Sequence, residues 1–178
     1  GYIMAKYISG ISKAIIGNIS PNRTLAPKIG ADAGQSDGDI GYFGETTSMT
    51  TGALYHYKSD GTWELADANA VATSDGMLAI ALGASSNVDG VLLRGFVTLD
   101  HDPGSIGDPL YISGTAGDVT PTAPTGNTDV VRIIGYQVIS ASNKSVWFNP
   151  DNSYNIGGGA FTEEWETDGN GDVMPIAV

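Results

Sequence analysis

Val91-Leu92-Leu93-Arg94-Gly95-Phe96-Val97-Thr98-Leu99 reads as a β-strand. Val91, Leu93, Gly95, Val97 and Leu99 recur at every second position, with Arg94 and Thr98 between them. A period of two puts alternate side chains on opposite faces of a pleated chain, so the odd-numbered residues are expected to face a core. The neighbouring segments support the same reading. Met77-Leu78-Ala79-Ile80-Ala81-Leu82 is a continuous apolar run between glycines, as in a strand covered on both faces. Leu54-Tyr55-His56-Tyr57 and Trp63-Glu64-Leu65 flank Asp60-Gly61 and form a hairpin pattern. Val130 to Ile139 is a further apolar run in which Gly135 suggests a bulge, and Val146-Trp147-Phe148 is a last strand stopped by Asn149-Pro150.

Turn chemistry separates these runs. Asp-Gly occurs at 37–38, 60–61, 75–76, 89–90 and 168–169, a pair that suits type I′ hairpin turns. Helical patterning is sparse. Ala66 to Thr73 has room for two turns started by Asp67, and Ile8, Ile11, Ile15 and Ile19 are spaced helically but are interrupted by Gly10 and Gly17. The expected body is all-β, an antiparallel sandwich or barrel of about six to nine short strands. Two cassettes recur. Gly52-Ala53-Leu54-Tyr55 is echoed by Gly107-Asp108-Pro109-Leu110-Tyr111, and Leu93-Arg94-Gly95-Phe96-Val97 by Arg132-Ile133-Ile134-Gly135-Tyr136, without a fixed period.

Composition bounds the function. The chain has 178 residues with 20 acidic and 8 basic side chains, a net charge of -12 that argues against a face built for nucleic acid. Glycine, at 25 residues, is roughly twice ordinary usage. The absence of cysteine excludes disulfides, thiolate metal sites and thiol nucleophiles. No stretch has the roughly 20 apolar residues of a membrane span, so no membrane insertion is expected. Lys13 interrupts the early apolar segment, and a signal peptide is not expected either.

Charge divides the chain into three parts. Residues 1–30 carry Lys6, Lys13, Arg23 and Lys28 and no acid, a basic N-terminal arm of +4. Residues 31–152 are the β-rich body. Residues 153–178 form a Gly-rich acidic C-terminal arm, and from Asp151 onward the chain carries Glu163, Glu164, Glu166, Asp168 and Asp172 with no base, a total of -6. Opposite charges at the two ends favour contact between the arms of different subunits. Lys6, Ile8, Ile11, Lys13 and Ile15 at one end, and Phe161, Glu163, Glu164, Trp165 and Glu166 at the other, are the expected assembly residues.

Catalytic and metal motifs fare poorly. The G-x-S-x-G elbow, the Walker loop, H-E-x-x-H and a G-x-G-x-x-G after a strand are all missing. His101, between Asp100 and Asp102, has the residue types of a metal or catalytic group but lies in the turn sequence Asp-Pro-Gly. His56 reads as a half-exposed pleat position. Asp168, Asn170 and Asp172 match the first ligands of a calcium loop without its later Gly and Glu, and Asp32, Asp37 and Asp39 are a second acidic group; both read as turns. The expectation is no cofactor, with calcium the one ion these loops have ligands for. Glu163, Glu164 and Glu166 beside Trp165 have the residue types of a glycosidase acid pair, but in a Gly-rich tail without a scaffold. No catalytic residue is assigned and the chain is expected not to be an enzyme. Tyr55, Tyr57, Trp63, Tyr111 and Tyr136 are the candidates for a saccharide-stacking surface.

Taken as an ordered set, several of these motifs are familiar. They are Gly52-Ala53-Leu54-Tyr55, Gly61-Thr62-Trp63-Glu64-Leu65-Ala66-Asp67-Ala68, Val91 to Leu99, Gly107 to Ser113, Thr120 to Gly126, Val131 to Tyr136 and Trp147-Phe148-Asn149-Pro150-Asp151-Asn152. Over about residues 50–152 the chain resembles a β-rich module of bacteriophage virion proteins, found in the distal part of tail fibres and in small structural proteins. The resemblance implies a non-enzymatic virion component, homo-oligomeric and commonly trimeric. It differs from a fibre tip in lacking a long repetitive shaft upstream and in running on past Asn-Pro-Asp. A capsid decoration or tail-attached protein, in contact with other virion structural proteins, is therefore expected ahead of a tail-fibre module that binds a host-surface receptor or glycan.

Overall fold

The computed structural model describes residues 24–27, 32–139 and 144–157, together with the backbone of 165–167 and 173–175. The body is all-β, as the sequence implies: one nine-stranded antiparallel sheet curls into a half-barrel. Its strands are β1 (Ser36–Gly41), β2 (Leu54–Tyr57), β3 (Trp63–Leu65), β4 (Leu78–Ala81), β5 (Val91–Thr98), β6 (Pro109–Ile112), β7 (Val119–Thr120), β9 (Ile133–Ile139) and β10 (Ser145–Phe148). Between β7 and β9, β8 (Val130–Val131) pairs instead with β11 (Asn155–Ile156), and β12 (Trp165–Thr167) pairs with β13 (Val173–Pro175). The Gly157 N–H also donates to the Asp129 carbonyl at 2.8 Å, so residues as far as Gly157 are fastened to the body.

The order β3-β2-β4-β5-β10-β9-β6-β7 forks at β5. One edge of β5 carries β1, while the other is shared, with β4 on Val91 and Leu92 and β10 on Gly95 to Thr98. The strict alternation expected for Val91 to Leu99 does not survive this geometry. Asp39 pairs with Arg94 and Ile40 with Leu92, so Leu93 is an extra residue at a bulge. The bulge reverses which face each side chain takes. Leu92 joins Val97 and Leu99 in the main core, and Val91 and Leu93 turn to the other face.

Two apolar clusters result. The main one, inside the curl, includes Leu54, Leu78, Ile80, Leu92, Val97, Leu99, Leu110, Ile112, Ile134, Val146 and Phe148. The second lies behind β2, β3 and β4, where Met49, Ala53, Tyr55, Trp63, Ala79, Ala81 and Val91 are buried and Phe43, Tyr57 and Leu65 pack on them. Strand β4 separates the two. Leu78 and Ile80 enter the first, and Ala79 and Ala81 the second, which explains its unbroken apolar sequence.

A single row across the sheet shows how the curl is made. Gly38 pairs with Gly95, Gly95 with Phe148, Phe148 with Gly135, and Gly135 with Leu110. Phe148 is fully buried and has a glycine beside it on both neighbouring strands. A β-carbon on Gly95 would fall on the Asp37 carbonyl, and one on Gly135 on the Trp147 carbonyl. The strands close more tightly here than side chains permit, and the Phe148 ring fills the space the glycines leave. The second cassette echo has its origin in the same row: β5 and β9 flank β10 symmetrically, each placing a glycine beside Phe148 and an aromatic residue beside Trp147.

The Asp-Gly pairs are not type I′ turns. Gly61, Gly76 and Gly90 take positive φ but Asp60, Asp75 and Asp89 do not, and Asp37-Gly38 lies inside β1; Asp168-Gly169 lies outside the described residues. The β2–β3 hairpin instead closes through Gly61 N–H to the Lys58 carbonyl (3.1 Å) and Lys58 N–H to the Thr62 carbonyl (2.8 Å), the three-residue loop with a glycine bulge. The expected two-turn helix at Ala66 to Thr73 is a single 3-10 turn, Val71–Thr73. Asp67 accepts from the Asn69 N–H at 2.8 Å, forming a local turn in place of a helix cap.

The hairpin loop gives the acid limb a marker. The Thr62 hydroxyl (2.6 Å), followed by Lys58 (3.1 Å) and the Thr62 N–H (3.0 Å), holds the Asp60 carboxyl down to about 2 from its ordinary 3.8. A depressed carboxyl stabilises the folded state above its unfolded pKa, and that contribution is lost as pH falls through the folded one. Asp60→Asn should therefore lower the urea midpoint slightly at neutral pH. The difference from wild type should close between pH 3.8 and about 2. A gap that persists below this range would show that the carboxylate's bonds are not its origin.

Candidate functional site

The row of residues next to the glycines faces the other way. Asp37 pairs with Phe96, Phe96 with Trp147, Trp147 with Tyr136, and Tyr136 with Pro109. Strand alternation turns this row outward because Phe148 and the glycines point inward. Phe96 and Trp147 are half-buried and Tyr136 is 47% exposed. The Phe96 and Trp147 rings meet edge-on with centroids 4.9 Å apart and an interplanar angle of 62°. The exposed Arg94 sets its guanidinium carbon 5.6 Å from the Trp147 ring centroid. Ring pairs and a cation over a ring are each worth about 0.5–1 kcal/mol at a surface, so the patch is held stiff before anything binds it. Its rim is mixed: Asp39 stands opposite Arg94 in register, and Asp37 accepts from the Ala26 N–H at 3.1 Å.

The five aromatics expected to form a stacking surface do not come together. Trp63 and Tyr55 are 4% and 5% exposed in the second core, where Trp63 donates to the Phe43 carbonyl (3.0 Å) and the Tyr55 hydroxyl accepts from the Thr50 N–H (2.8 Å). Tyr57 packs 4.8 Å from Trp63 and 5.2 Å from Phe43. Tyr111 is half-buried on β6, opposite Ile133 and Thr120. Tyr136 alone among the five belongs to the outer row. Its companions there, Phe96 and Trp147, were read as strand residues only. The period-two position of Trp147 between Val146 and Phe148 was the signal that it faces away from the core.

His101 sits in a compact polar group. Its Nδ1 is 2.7 Å from Asp100 and 3.6 Å from Asp118, and its Nε2 accepts from the Val119 N–H at 3.0 Å. The Val119 carbonyl is also 3.3 Å from Nε2, and the shorter N–H contact matches the tautomer in which Nδ1 donates to Asp100. Asp118, and not the sequence neighbour Asp102, completes the group; Asp102 accepts from Gln137 at 3.4 Å. Lys144 donates to the Asp100 carbonyl at 2.6 Å. With both imidazole nitrogens engaged, the group ties the end of β5 to β7. Among the described residues Asp32, Asp37 and Asp39 do not gather around a common point as Asp100, His101 and Asp118 do.

His56 is not half-exposed. It is 2% exposed, with Nε2 3.2 Å from Glu64 and Nδ1 without a partner. Arg132, unremarked in the sequence beyond its cassette, is buried at 4% exposure and reaches three carbonyls on two segments. Its Nε donates to the Asp151 carbonyl (2.6 Å), and its Nη1 to the carbonyls of Ser74 (3.1 Å) and Gly76 (2.9 Å).

Lys6, Ile8, Ile11, Lys13, Ile15, Phe161, Glu163 and Glu164 lie outside the described residues, as do Asp168, Asn170 and Asp172. Trp165 and Glu166 stand in β12, where they pair with Pro175 and Met174. No helix among the described residues is long and apolar enough to cross a membrane. No family model, curated protein or solved structure matches this chain.

Proposed function

We propose that this chain is a non-enzymatic structural component on the exterior of a bacteriophage virion, a capsid decoration or tail-attached protein that assembles with copies of itself, most simply as a trimer. The observation that carries the reading is the outer row Phe96–Trp147–Tyr136 with Arg94. All four residues fall within the segment 50–152 that resembles virion β-modules. Aromatic and arginine side chains on a rigid sheet are the groups that dominate protein–protein affinity. A second copy of the chain is the partner the charges favour. The basic residues 1–30 and acidic residues 151–178 complement each other between subunits, and their attraction sets register while the aromatic row supplies affinity.

The solution mass by light scattering tests this. The wild type is expected to run as a trimer or a larger closed assembly. Tyr136→Asp puts a charge in the row at a position already exposed, so the fold should persist while the dissociation constant rises at least about tenfold. A wild-type monomer, or an assembly indifferent to Tyr136→Asp, would overturn the reading.

A further inference from the structure

We infer that the cleft beside Arg132 is a binding site for a sugar that carries one carboxylate. The site is separate from the aromatic row and shares no residue with it. The cleft has a volume of about 400 Å³, and its walls include Met77, Leu78, Leu93 and Pro150, with Arg132, Asn149 and Asn152 as the polar groups.

Arg132 is fixed as a binding group and not merely present. Its Nε and Nη1 hydrogens are held by the carbonyls of Asp151, Ser74 and Gly76. A guanidinium has five N–H bonds, so the two on Nη2 remain, and among the described residues they meet no acceptor. All three partners are neutral carbonyls. Asp75, Asp151 and Tyr154 lie near enough to act on the charge through space, but no carboxylate receives a hydrogen bond from it. A cation 4% exposed, lining a cleft and lacking an anionic contact, is the complement of a single carboxylate.

The other walls narrow the ligand. An inorganic anion gains nothing from carbon surface, which Met77, Leu78, Leu93 and Pro150 offer. A pyranose uronic acid presents C–H faces to such walls, hydroxyls to the Asn149 and Asn152 amides, and one carboxylate to Nη2. A polyanion is disfavoured by the chain's net charge of -12, while a single carboxylate meets less of that repulsion.

The test is a ¹H–¹⁵N titration of the intact chain with sodium D-glucuronate, sodium N-acetylneuraminate, D-glucose and sodium phosphate in parallel. The expected result is saturable shifts at the Gly76 and Met77 amides, the Asn152 side chain and the Arg132 Nε–H. At least one of the two sugar acids should bind at least about tenfold tighter than glucose and phosphate. Replacing Arg132 would disturb the fold, so the variant of choice is Asn152→Asp at the exposed rim. It places a negative charge beside the site and should weaken the sugar acid about tenfold with the unfolding midpoint unchanged. Equal binding of glucose would remove the role of Arg132. Equal binding of phosphate would make this a general anion site, and the absence of shifts with either sugar acid would overturn the inference altogether.

Discussion

Gly135→Ala should lower stability by about 3–5 kcal/mol, an unusually large effect for one added methyl group. The reason is steric and lies in the backbone. The new β-carbon would fall on the Trp147 carbonyl oxygen, with the Trp147 carbonyl carbon at 3.0 Å and the Phe148 α-carbon at 3.2 Å. No rotamer change relieves contacts with main-chain atoms. To make room, β9 and β10 would have to separate at the point where Phe148 is clamped between Gly95 and Gly135, and the ladder on both sides would loosen with them. For a chain of this size the loss corresponds to a fall in thermal midpoint of about 6–20 °C. Gly61→Ala is the control. A β-carbon there meets nothing closer than the Tyr57 hydroxyl at 3.6 Å, so only its positive φ opposes the change, at about 1 kcal/mol. Equal effects at the two positions would mean that the strands do not close as tightly around Phe148 as the glycine row requires.

Arg132→Met should destabilise the body by about 3 kcal/mol. Replacing a buried charge with a side chain of similar length often proves neutral, because the desolvation cost of the charge disappears along with its partners' gain. Here the partners stay behind. The carbonyls of Ser74, Gly76 and Asp151 would each lose a donor, and a buried unpaired carbonyl costs about 1–3 kcal/mol before water readmitted through the cleft offsets part of it. Burial already pushes the guanidinium pKa down, with Tyr154, Asp151 and Asp75 opposing that shift, so the native state bears this cost and is held by the three bonds. Arg132→Lys should recover little, since a single ammonium on a flexible stem cannot reach three carbonyls that the guanidinium meets through two different nitrogens. Amide exchange provides the local readout. Protection should fall first at the turn 74–76 and the segment around Asp151, ahead of β5. Wild-type stability in Arg132→Met would show that the brace is dispensable.

Much of the fold was legible because its signals are local. The hairpin pattern of Leu54–Tyr57 and Trp63–Leu65, the last strand at Val146-Trp147-Phe148 and the apolar run through Leu78–Ala81 follow from which face of a pleat must be dry, and each became a strand. The failures share one cause. Alternation over Val91 to Leu99 broke at Leu93 because the bulge is set by β1, a strand some fifty residues earlier in sequence. His56 reads as half-exposed from its own strand, but the curl of the sheet closes over it. The pairs at 60–61, 75–76 and 89–90 announce turns without specifying them, since loop length and strand register choose the turn type, and Asp37-Gly38 is drawn into β1 by pairing with β5.

The candidate sites divide along the same line. Aromatic residues in strands can be counted from sequence, but Trp63 and Tyr55 became core while Phe96, Trp147 and Tyr136 became surface, because the second face of the sheet is covered by Phe43 and Met49 at β2–β4 and left open at β9–β10. Arg132 gave no local sign at all, since its three acceptors come from residues 74, 76 and 151. The sequence by itself determined an all-β body, the places of most strands after β1 and the opposite charges of residues 1–30 and 151–178, because period, turn residues and charge are properties of neighbouring positions. Only the tertiary structure decided which aromatic rings meet solvent, where the glycines let the sheet close and what the buried guanidinium holds. Those depend on strands distant in sequence being brought into register, and a bulge or a curl reassigns every side chain beyond it.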